Sequence, residues 1–206
     1  CKEKGVLFFV DAIQSLGVLP MDVKKDHIDF LSADGHKWML SVEGLGGFYI
    51  SKEVVDKVRP VTMGWGNVIN AANFMDYDFT LQADAKKFEE GTPNTMSIHA
   101  FGAALELLLE VGIDNIEKRV MSLGDCVIGE LKSRGIKIYS STLLSERSGN
   151  ISFALDKDVG RLYSFMLENK VKLTVRDGLV RFSPHFYNNE EEILKVFDLL
   201  DSYLKK

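Results

Sequence analysis

Short apolar runs divide the first fifty residues of the chain. The runs at residues 6–10, 28–33 and 47–51 are too short for helices and are bounded by polar or turn-forming residues. This pattern predicts strands buried on both faces, as in the interior of an α/β sheet. The connections are too short for every pair of neighbours to be parallel, because a parallel crossover takes a dozen or more residues. We therefore expect a mixed sheet.

Two helical patterns follow a long polar segment. Residues 59–94 are rich in Gly, Asn, Asp and Thr and show no clear period, and an irregular segment of this length is often functional. The first helix is predicted from about Thr95 to Val111, where Gly112 stops it. The second is predicted from Asp114, with Glu117 three residues later as in a capping box, to near Gly135.

The last third of the chain alternates between strand and helix patterns. Strands are predicted at residues 136–139, 150–155, 171–175 and 179–183, and helices at residues 159–168 and 189–204. This order predicts a small α+β unit whose sheet is covered on one face.

The composition argues against several classes of function. Lys and Arg number 25 against 30 Asp and Glu, a net charge of −5, whereas a nucleic-acid binder normally carries a basic stripe. No apolar run approaches the roughly 20 residues that span a bilayer, so no membrane partner is expected. The two cysteines, Cys1 and Cys126, form neither a disulfide framework nor a zinc pattern. We expect no metal and a reducing, cytoplasmic location.

Two motifs lie where strands are predicted to end. Asp11 closes the first strand and Gln14 follows three residues later, at the kind of position where open α/β sheets bind ligands. The stretch Ser32-Ala-Asp-Gly-His-Lys-Trp38 ends the second strand and contains a lysine, a residue that forms Schiff bases with carbonyls. Taken singly, these motifs fit a turn-capping Asp and a surface Lys equally well.

Taken together, the two motifs resemble the fold-type I pyridoxal-phosphate enzymes. The closest match is the class V aminotransferase group, which includes cysteine desulfurases, selenocysteine lyases and isopenicillin-N-epimerase-like proteins. The resemblance implies that Lys37 carries pyridoxal 5′-phosphate as an internal aldimine and that Asp11 pairs with the protonated pyridine nitrogen. It also implies that Gln14 hydrogen-bonds the phenolic oxygen and that His36 contacts the phosphate. A carboxylate at the ring nitrogen keeps the ring an electron sink.

Three further segments extend the resemblance. Phe88-Glu-Glu-Gly-Thr-Pro-Asn94 looks like the turn of the group whose threonine, here Thr92, reaches the cofactor phosphate of a partner subunit, which implies a homodimer with shared active sites. Ser148-Gly-Asn-Ile-Ser-Phe153 is similar to the start of the small domain's sheet. The segment at residues 179–188 resembles the closing motif, whose arginine, here Arg181, clamps the substrate α-carboxylate with its planar fork.

The resemblance covers essentially the whole chain and implies the C-terminal half of a longer protein. The expected fold class is α/β. Residues 1–94 would form the C-terminal part of a PLP-binding large domain with a mixed, mostly parallel sheet. Residues 95–135 would be linking helices, and residues 136–206 a small C-terminal α+β domain.

Two departures from the group's pattern bear on the reaction. Asp34 stands where cysteine desulfurases usually have a phosphate-binding Ser, and the short turn at residues 175–179 lacks the loop cysteine that takes the substrate sulfur. We therefore expect a PLP-dependent enzyme of amino-acid metabolism that performs transamination, epimerisation or β-elimination. One alternative is a cysteine desulfurase or selenocysteine lyase. Another is a non-catalytic folded fragment with no independent cofactor binding.

Overall fold

A boundary between Glu110 and Val111 divides the computed structural model, which describes residues 1–205, into two units. Each unit has a three-stranded sheet of its own. The boundary falls within the first of the predicted linking helices, and the division at residues 94 and 135 stays a prediction. No single helix among the described residues is long and apolar enough to cross a membrane, and the helices Thr95–Val111 and Ile113–Ser133 meet that criterion only when taken together.

The first unit is built on a mixed sheet. Its strands are β1 (Phe9–Asp11), β2 (Phe30–Asp34) and β3 (Gly46–Ile50), in the order β1-β2-β3. β1 runs parallel to β2, and β2 runs antiparallel to β3, which confirms the expectation of a mixed sheet. Turns rather than a regular helix fill the crossover between the two parallel strands.

β1 differs from its prediction in length and in burial. It begins at Phe9 rather than at residue 6, and the apolar side chains of Val6 and Phe9 are 57% and 55% exposed. β1 is an edge strand that pairs with β2 alone, so no strand within residues 1–205 covers its outer edge. The prediction of a strand buried on both faces is therefore wrong for this chain. An apolar run indicates that a segment is suited to burial, but it does not show which other segment covers it.

Side-chain hydrogen bonds organise the long polar segment. Single turns of 3-10 helix form at Trp65–Asn67 and Ala85–Phe88. The fully buried Asn67 accepts a hydrogen bond from the backbone N–H of Gly64 and donates one to the carbonyl of Thr62. Such bonds have no sequence period, which is why the patterning predicted only a loop.

The two long helices lie at or within two residues of their predicted positions, but the cap predicted for the second helix does not form. α1 spans Thr95–Val111 and α2 spans Ile113–Ser133. Gly112 precedes α2 with a φ of 84°, and no side chain caps the helix, so the capping box expected from Asp114 and Glu117 is wrong. Because α2 begins one residue early, Asp114 lies within its first turn, where a carboxylate is favoured by the helix dipole.

The second unit contains α2 and an antiparallel sheet in the order β4-β6-β5. Its other elements are β4 (Ile151–Phe153), α3 (Val159–Glu168), β5 (Thr174–Arg176), β6 (Leu179–Phe182) and α4 (Glu190–Leu204). The strand predicted at residues 136–139 is reduced to one bridge, between Ile138 and Phe153.

The core of the second unit lies between this sheet and its helices. Phe153, Val180 and Phe197 are fully buried. The ring of Phe182 lies edge-on to Phe153 at 5.0 Å and to Phe197 at 5.8 Å. Because side chains alternate along a strand, Val180 and Phe182 face this core and Arg181, between them, faces the other way.

An arginine just after α2 ties that helix to α4. Arg134 donates through Nε and Nη2 to the two carboxylate oxygens of Asp201, at 2.7 and 2.8 Å, and through Nη1 to Glu130. Its guanidinium also lies 4.9 Å from the ring centre of Phe197. The hydrogen bonds from Arg134 lower the pKa of Asp201 below its ordinary 3.8.

We expect Asp201→Asn to reduce the pH dependence of stability. A carboxylate whose pKa is lowered in the folded state stabilises it above the unfolded pKa, and that contribution is lost as pH falls through the folded pKa. The difference in unfolding free energy between wild type and variant should be about 1 kcal/mol at neutral pH and should shrink as pH falls from about 5 to about 2. Urea unfolding followed by circular dichroism measures it. A difference that is constant with pH would contradict the assignment, and the exposed Asp156→Asn is the matched control.

Candidate active site

The two sequence motifs meet at one edge of the first unit's sheet. The parallel register pairs Asp11 at the end of β1 with Ser32 in β2, and β2 ends at Asp34, three residues before Lys37. A cavity of about 270 Å³ opens there, at the carboxyl ends of the parallel strands, where open α/β sheets bind ligands. It is lined by Asp11, Ile13, Ser32, Ala33, Asp34, Gly46, Gly47 and Phe48.

Local hydrogen bonds orient Asp11. Its Oδ1 accepts the backbone N–H of Ile13 at 3.1 Å, and the N–H of Ala12 donates to the carbonyl of Ser32 at 2.8 Å. The carboxylate is exposed, and its Oδ2 accepts no hydrogen bond within residues 1–205. The half-buried Gln14 follows in the turn after β1. The strand end therefore presents a carboxylate oxygen to a ligand.

The loop that carries Lys37 is closed and anchored. The N–H of Gly35 donates to the carbonyl of Leu45 at 2.9 Å, which joins the two ends of the loop. Trp38 and Met39 are buried, whereas Lys37 immediately before them is exposed. The loop thus holds its lysine at the surface by burying the two residues that follow it.

A glycine that the sequence analysis did not single out packs this loop onto the segment after β1. Gly17 has a φ of 98°, and a Cβ placed on it would lie 2.7 Å from both the carbonyl carbon and the oxygen of Trp38. A side chain would push the two segments apart. The contact therefore joins the turn that carries Gln14 to the loop that carries Lys37.

Two buried polar atoms in the Lys37 loop have no hydrogen-bond partner within the described residues. They are Nδ1 of His36 and Oγ of Ser41. Buried polar atoms are nearly always paired, and an unpaired one costs about 1–3 kcal/mol. The loop is therefore suited to receive a polar ligand. The imidazole of His36, the exposed amine of Lys37 and the carboxylate of Asp11 are groups of the kind that bind a phosphate, an aldehyde and a protonated ring nitrogen.

Thr92 lies elsewhere in the first unit, in the exposed turn before α1. The N–H of Ser97 donates to Oδ1 of Asn94 at 3.2 Å, which fixes the end of that turn. Upstream, the N–H of Gly66 donates to the carbonyl of Glu90 at 3.0 Å. The turn is thus held at both ends with Thr92 exposed between them, and its contact with a partner subunit stays a prediction.

Arg181 belongs to the second unit. It lies on β6 with Ser152 of β4 on one side and Thr174 of β5 on the other, and directly opposed residues point to the same face of a sheet. Its Nε is buried and has no hydrogen-bond partner in the part of the chain that the structure describes. A guanidinium with an unused donor between two hydroxyl side chains is suited to bind a carboxylate.

Comparison with known proteins identifies the family. The sequence pattern of class V aminotransferases matches residues 1–196 of this chain. The chain belongs to the class V aminotransferase family. Enzymes of this family depend on pyridoxal 5′-phosphate.

The curated relatives are described either as aminotransferases or as cysteine desulfurases. An uncharacterized aminotransferase of Bacillus subtilis, YcbU, is 29% identical over 96% of this chain and 51% of its own length. A probable cysteine desulfurase of Pyrococcus abyssi is 32% identical over 99% of this chain and 54% of its own length. The chain therefore spans about half the length of the relatives it matches.

Solved structures confirm the fold-type I resemblance. The apo cysteine desulfurase of Thermococcus onnurineus superposes with a TM-score of 0.90 at 26% identity, over 99% of this chain and 54% of that one. A C-DES mutant with glycine covalently linked to its PLP cofactor superposes with a TM-score of 0.82 at 21% identity, over 90% of this chain and 49% of that one. At 21% identity, the similarity to the C-DES structure shows a shared fold and nothing about function.

The hairpin between β5 and β6 bears on the sulfur chemistry of cysteine desulfurases. It turns on Asp177 and Gly178, both with positive φ (52° and 77°), as in a tight two-residue hairpin turn. The turn has neither a cysteine nor space for a mobile loop. Cys126 lies in α2, where burial raises the pKa of its thiol, and a raised pKa lowers the fraction of reactive thiolate.

We expect Gly17→Ala to displace the Lys37 loop of this member of the class V aminotransferase family. The new Cβ would collide with the Trp38 backbone, and a positive φ costs a non-glycine residue about 1–3 kcal/mol. In a Trp65→Phe background Trp38 is the only tryptophan, so its emission should shift to the red as the loop opens.

The matched control is Gly102→Ala. This glycine lies in α1 with no atom within 4 Å of an added Cβ, and alanine there should stabilise the helix slightly. If Gly17→Ala leaves both the emission and the urea midpoint unchanged, the contact does not hold the loop.

Proposed function

We propose that the protein is a PLP-dependent enzyme of amino-acid metabolism that performs transamination, epimerisation or β-elimination. The observation that carries the proposal is the buried, unpartnered Nδ1 of His36 beside the exposed Lys37. A buried nitrogen without a partner costs about 1–3 kcal/mol in a folded chain unless a ligand pairs with it. Membership of the class V aminotransferase family supports the same cofactor.

Four residues of the first unit are proposed to hold the cofactor. The Lys37 amine would bond to the aldehyde carbon of the cofactor, and Asp11 would accept a hydrogen bond from the ring nitrogen of the cofactor. Gln14 would donate to the phenolic oxygen, and His36 would donate to the phosphate. When bound, the cofactor supplies an electron sink for the electrons left at the substrate α-carbon.

Lys37 has a second proposed role, as a base. With the cofactor bound, the amine of Lys37 would also take the proton from the substrate α-carbon. Arg181 orients the substrate by binding its α-carboxylate through two parallel N–H donors. The unused Nε of Arg181 supports this assignment. Transamination, epimerisation and β-elimination each need at least one residue that holds the substrate carboxylate and one that moves the α-proton.

For the assembly, we propose a homodimer in which Thr92 binds the cofactor phosphate held by the partner subunit. The exposed position of Thr92 in a turn held at both ends supports this arrangement. We further propose a cytoplasmic location, supported by the two cysteines, both of which are free thiols.

Chemical trapping tests the cofactor site. We expect borohydride reduction of the chain with pyridoxal 5′-phosphate to label Lys37 in preference to other exposed lysines, as read by peptide mass spectrometry. Lys37→Ala should remove that label without raising the others, and Lys52→Ala, at another exposed lysine, is the matched control. Labelling of Lys37 no stronger than that of Lys52 would favour the alternative of a folded fragment that binds no cofactor.

The second candidate function is cysteine desulfuration, favoured by the description of the Pyrococcus abyssi relative. The tight β5–β6 turn and the half-buried Cys126 argue against a persulfide on this chain. With L-cysteine and the cofactor, we therefore expect any sulfide to appear together with pyruvate, the product of β-elimination, and Cys126→Ser to leave its release unchanged. Formation of alanine in place of pyruvate would establish a desulfurase instead.

A further inference from the structure

Part of the long polar segment of the first unit forms a closed loop. Val68 pairs with Leu81 in an antiparallel bridge, and the backbone N–H of Ile69 donates to the carbonyl of Thr80 at 2.9 Å. These bonds hold the two ends of the loop together. The sequence between the ends is rich in aromatic residues, which is unusual for a loop at the surface.

A small cavity with aromatic walls opens at this loop. It measures about 190 Å³, and Trp65, Phe74, Tyr77 and Phe79 line it. The ring centres of Trp65 and Phe74 are 6.4 Å apart, and their planes are inclined by 60°. All four residues are exposed, from 49% for Trp65 to 82% for Tyr77. We call this cavity the aromatic pocket. Sites for drug-sized ligands measure about 300–1,000 Å³, so the aromatic pocket suits a smaller molecule.

The backbone of Trp65 is held in place by the glycines on either side of it. A Cβ on Gly64 would collide with the carbonyl oxygen of Glu90, and a Cβ on Gly66 would lie 2.7 Å from the carbonyl oxygen of Glu89. Only residues without a side chain allow two backbone segments to approach so closely. The Trp65 wall of the aromatic pocket is therefore attached to a fixed piece of backbone.

The charge around the aromatic pocket is negative. Asp76 and Asp78 line it, and residues 60–85 include no Lys or Arg. Neither aspartate forms an ion pair within residues 1–205. Asp78 accepts hydrogen bonds from the Asn70 side chain and the Thr80 backbone, but both donors are neutral and leave its charge in place. Such a pocket attracts cations and repels anions.

Aromatic walls and negative charge together favour one class of ligand. The face of an aromatic ring is the negative end of its quadrupole, so it attracts a cation placed over it. A quaternary ammonium ion has no N–H group that would need a hydrogen-bond acceptor, and its methyl groups can pack against the rings. Rings alone would bind any apolar group, and carboxylates alone would bind any cation.

We propose that the aromatic pocket binds a small free quaternary ammonium ion of the choline type. The methyl groups contact the rings of Trp65 and Phe74, and the carboxylates of Asp76 and Asp78 balance the charge. Because this ion needs no cofactor and has no amine that could react with one, its binding is independent of the proposed function.

The test compares choline with its neutral isostere 3,3-dimethylbutan-1-ol on the 206-residue protein without cofactor. NMR follows the indole N–H of Trp65, and the Trp65→Phe variant distinguishes that signal from the signal of Trp38, the other tryptophan. The two ligands share a shape and differ in charge, so choline should bind at least about fivefold more tightly. Equal affinities would show a merely apolar pocket and overturn the proposal, as would a Trp65 signal that choline does not move.

Phosphocholine distinguishes a free ion from the headgroup of a lipid. Its phosphate brings negative charge next to Asp76 and Asp78, so it should bind about threefold more weakly than choline. Phosphocholine that binds as tightly as choline, or more tightly, would point to a lipid headgroup and overturn the proposal of a free ion.

Two variants locate the ligand. Phe74→Leu keeps an apolar side chain but removes a ring face, so it should weaken choline about threefold and leave the alcohol nearly unchanged. Asp76→Asn should weaken choline about twofold, and less so at high salt. Phe9→Leu and Asp56→Asn, at exposed positions of the same unit outside the aromatic pocket, are the matched controls.

Circular dichroism checks that each variant folds. If Phe74→Leu does not fold, Tyr77→Leu removes a more exposed ring from the same pocket and should also weaken choline but not the alcohol. A folded ring variant that binds choline as tightly as the wild type refutes the aromatic pocket as the site.

Discussion

The close approach of Gly17 to the Trp38 backbone is the constraint on which the candidate active site depends. Parallel pairing brings Asp11 beside Ser32. Lys37, however, lies after the end of β2, so strand pairing does not fix its position. Only a residue without a Cβ lets the turn after β1 reach the loop that follows β2. In that loop Trp38 is buried and Lys37 is exposed.

The first unit gives up stability at this site, and the second does so at Arg181. Nδ1 of His36, Oγ of Ser41 and Nε of Arg181 are all buried without partners within residues 1–205. Each such atom costs free energy, and so does a fourth one, Nε of Arg147, which lies outside the proposed site. In the second unit, the interlocked rings of Phe153, Phe182 and Phe197 lie on the opposite face of the same sheet, so a well-packed core supports the strand that carries the unpaired donor.

Relatives of this chain are described both as aminotransferase and as cysteine desulfurase. A two-residue turn in this chain bears on that question. Asp177 and Gly178 close the β5–β6 hairpin so tightly that no sulfur-accepting loop fits there. The proposal of a reaction other than desulfuration therefore rests on this surface connection and not on the lysine loop.

Local signals in the sequence were enough for the helices, the motif positions and the family. α1 and α3 have their predicted bounds, because helical periodicity and the residues that stop a helix act over a few neighbours. Tertiary structure alone decided that β1 is an exposed edge and that residues 136–139 form only a bridge. It also decided which polar atoms of the His36 loop and of Arg181 are left unpaired. These outcomes depend on contacts between distant segments, and the spacing of residues along the chain does not encode which surface will be covered.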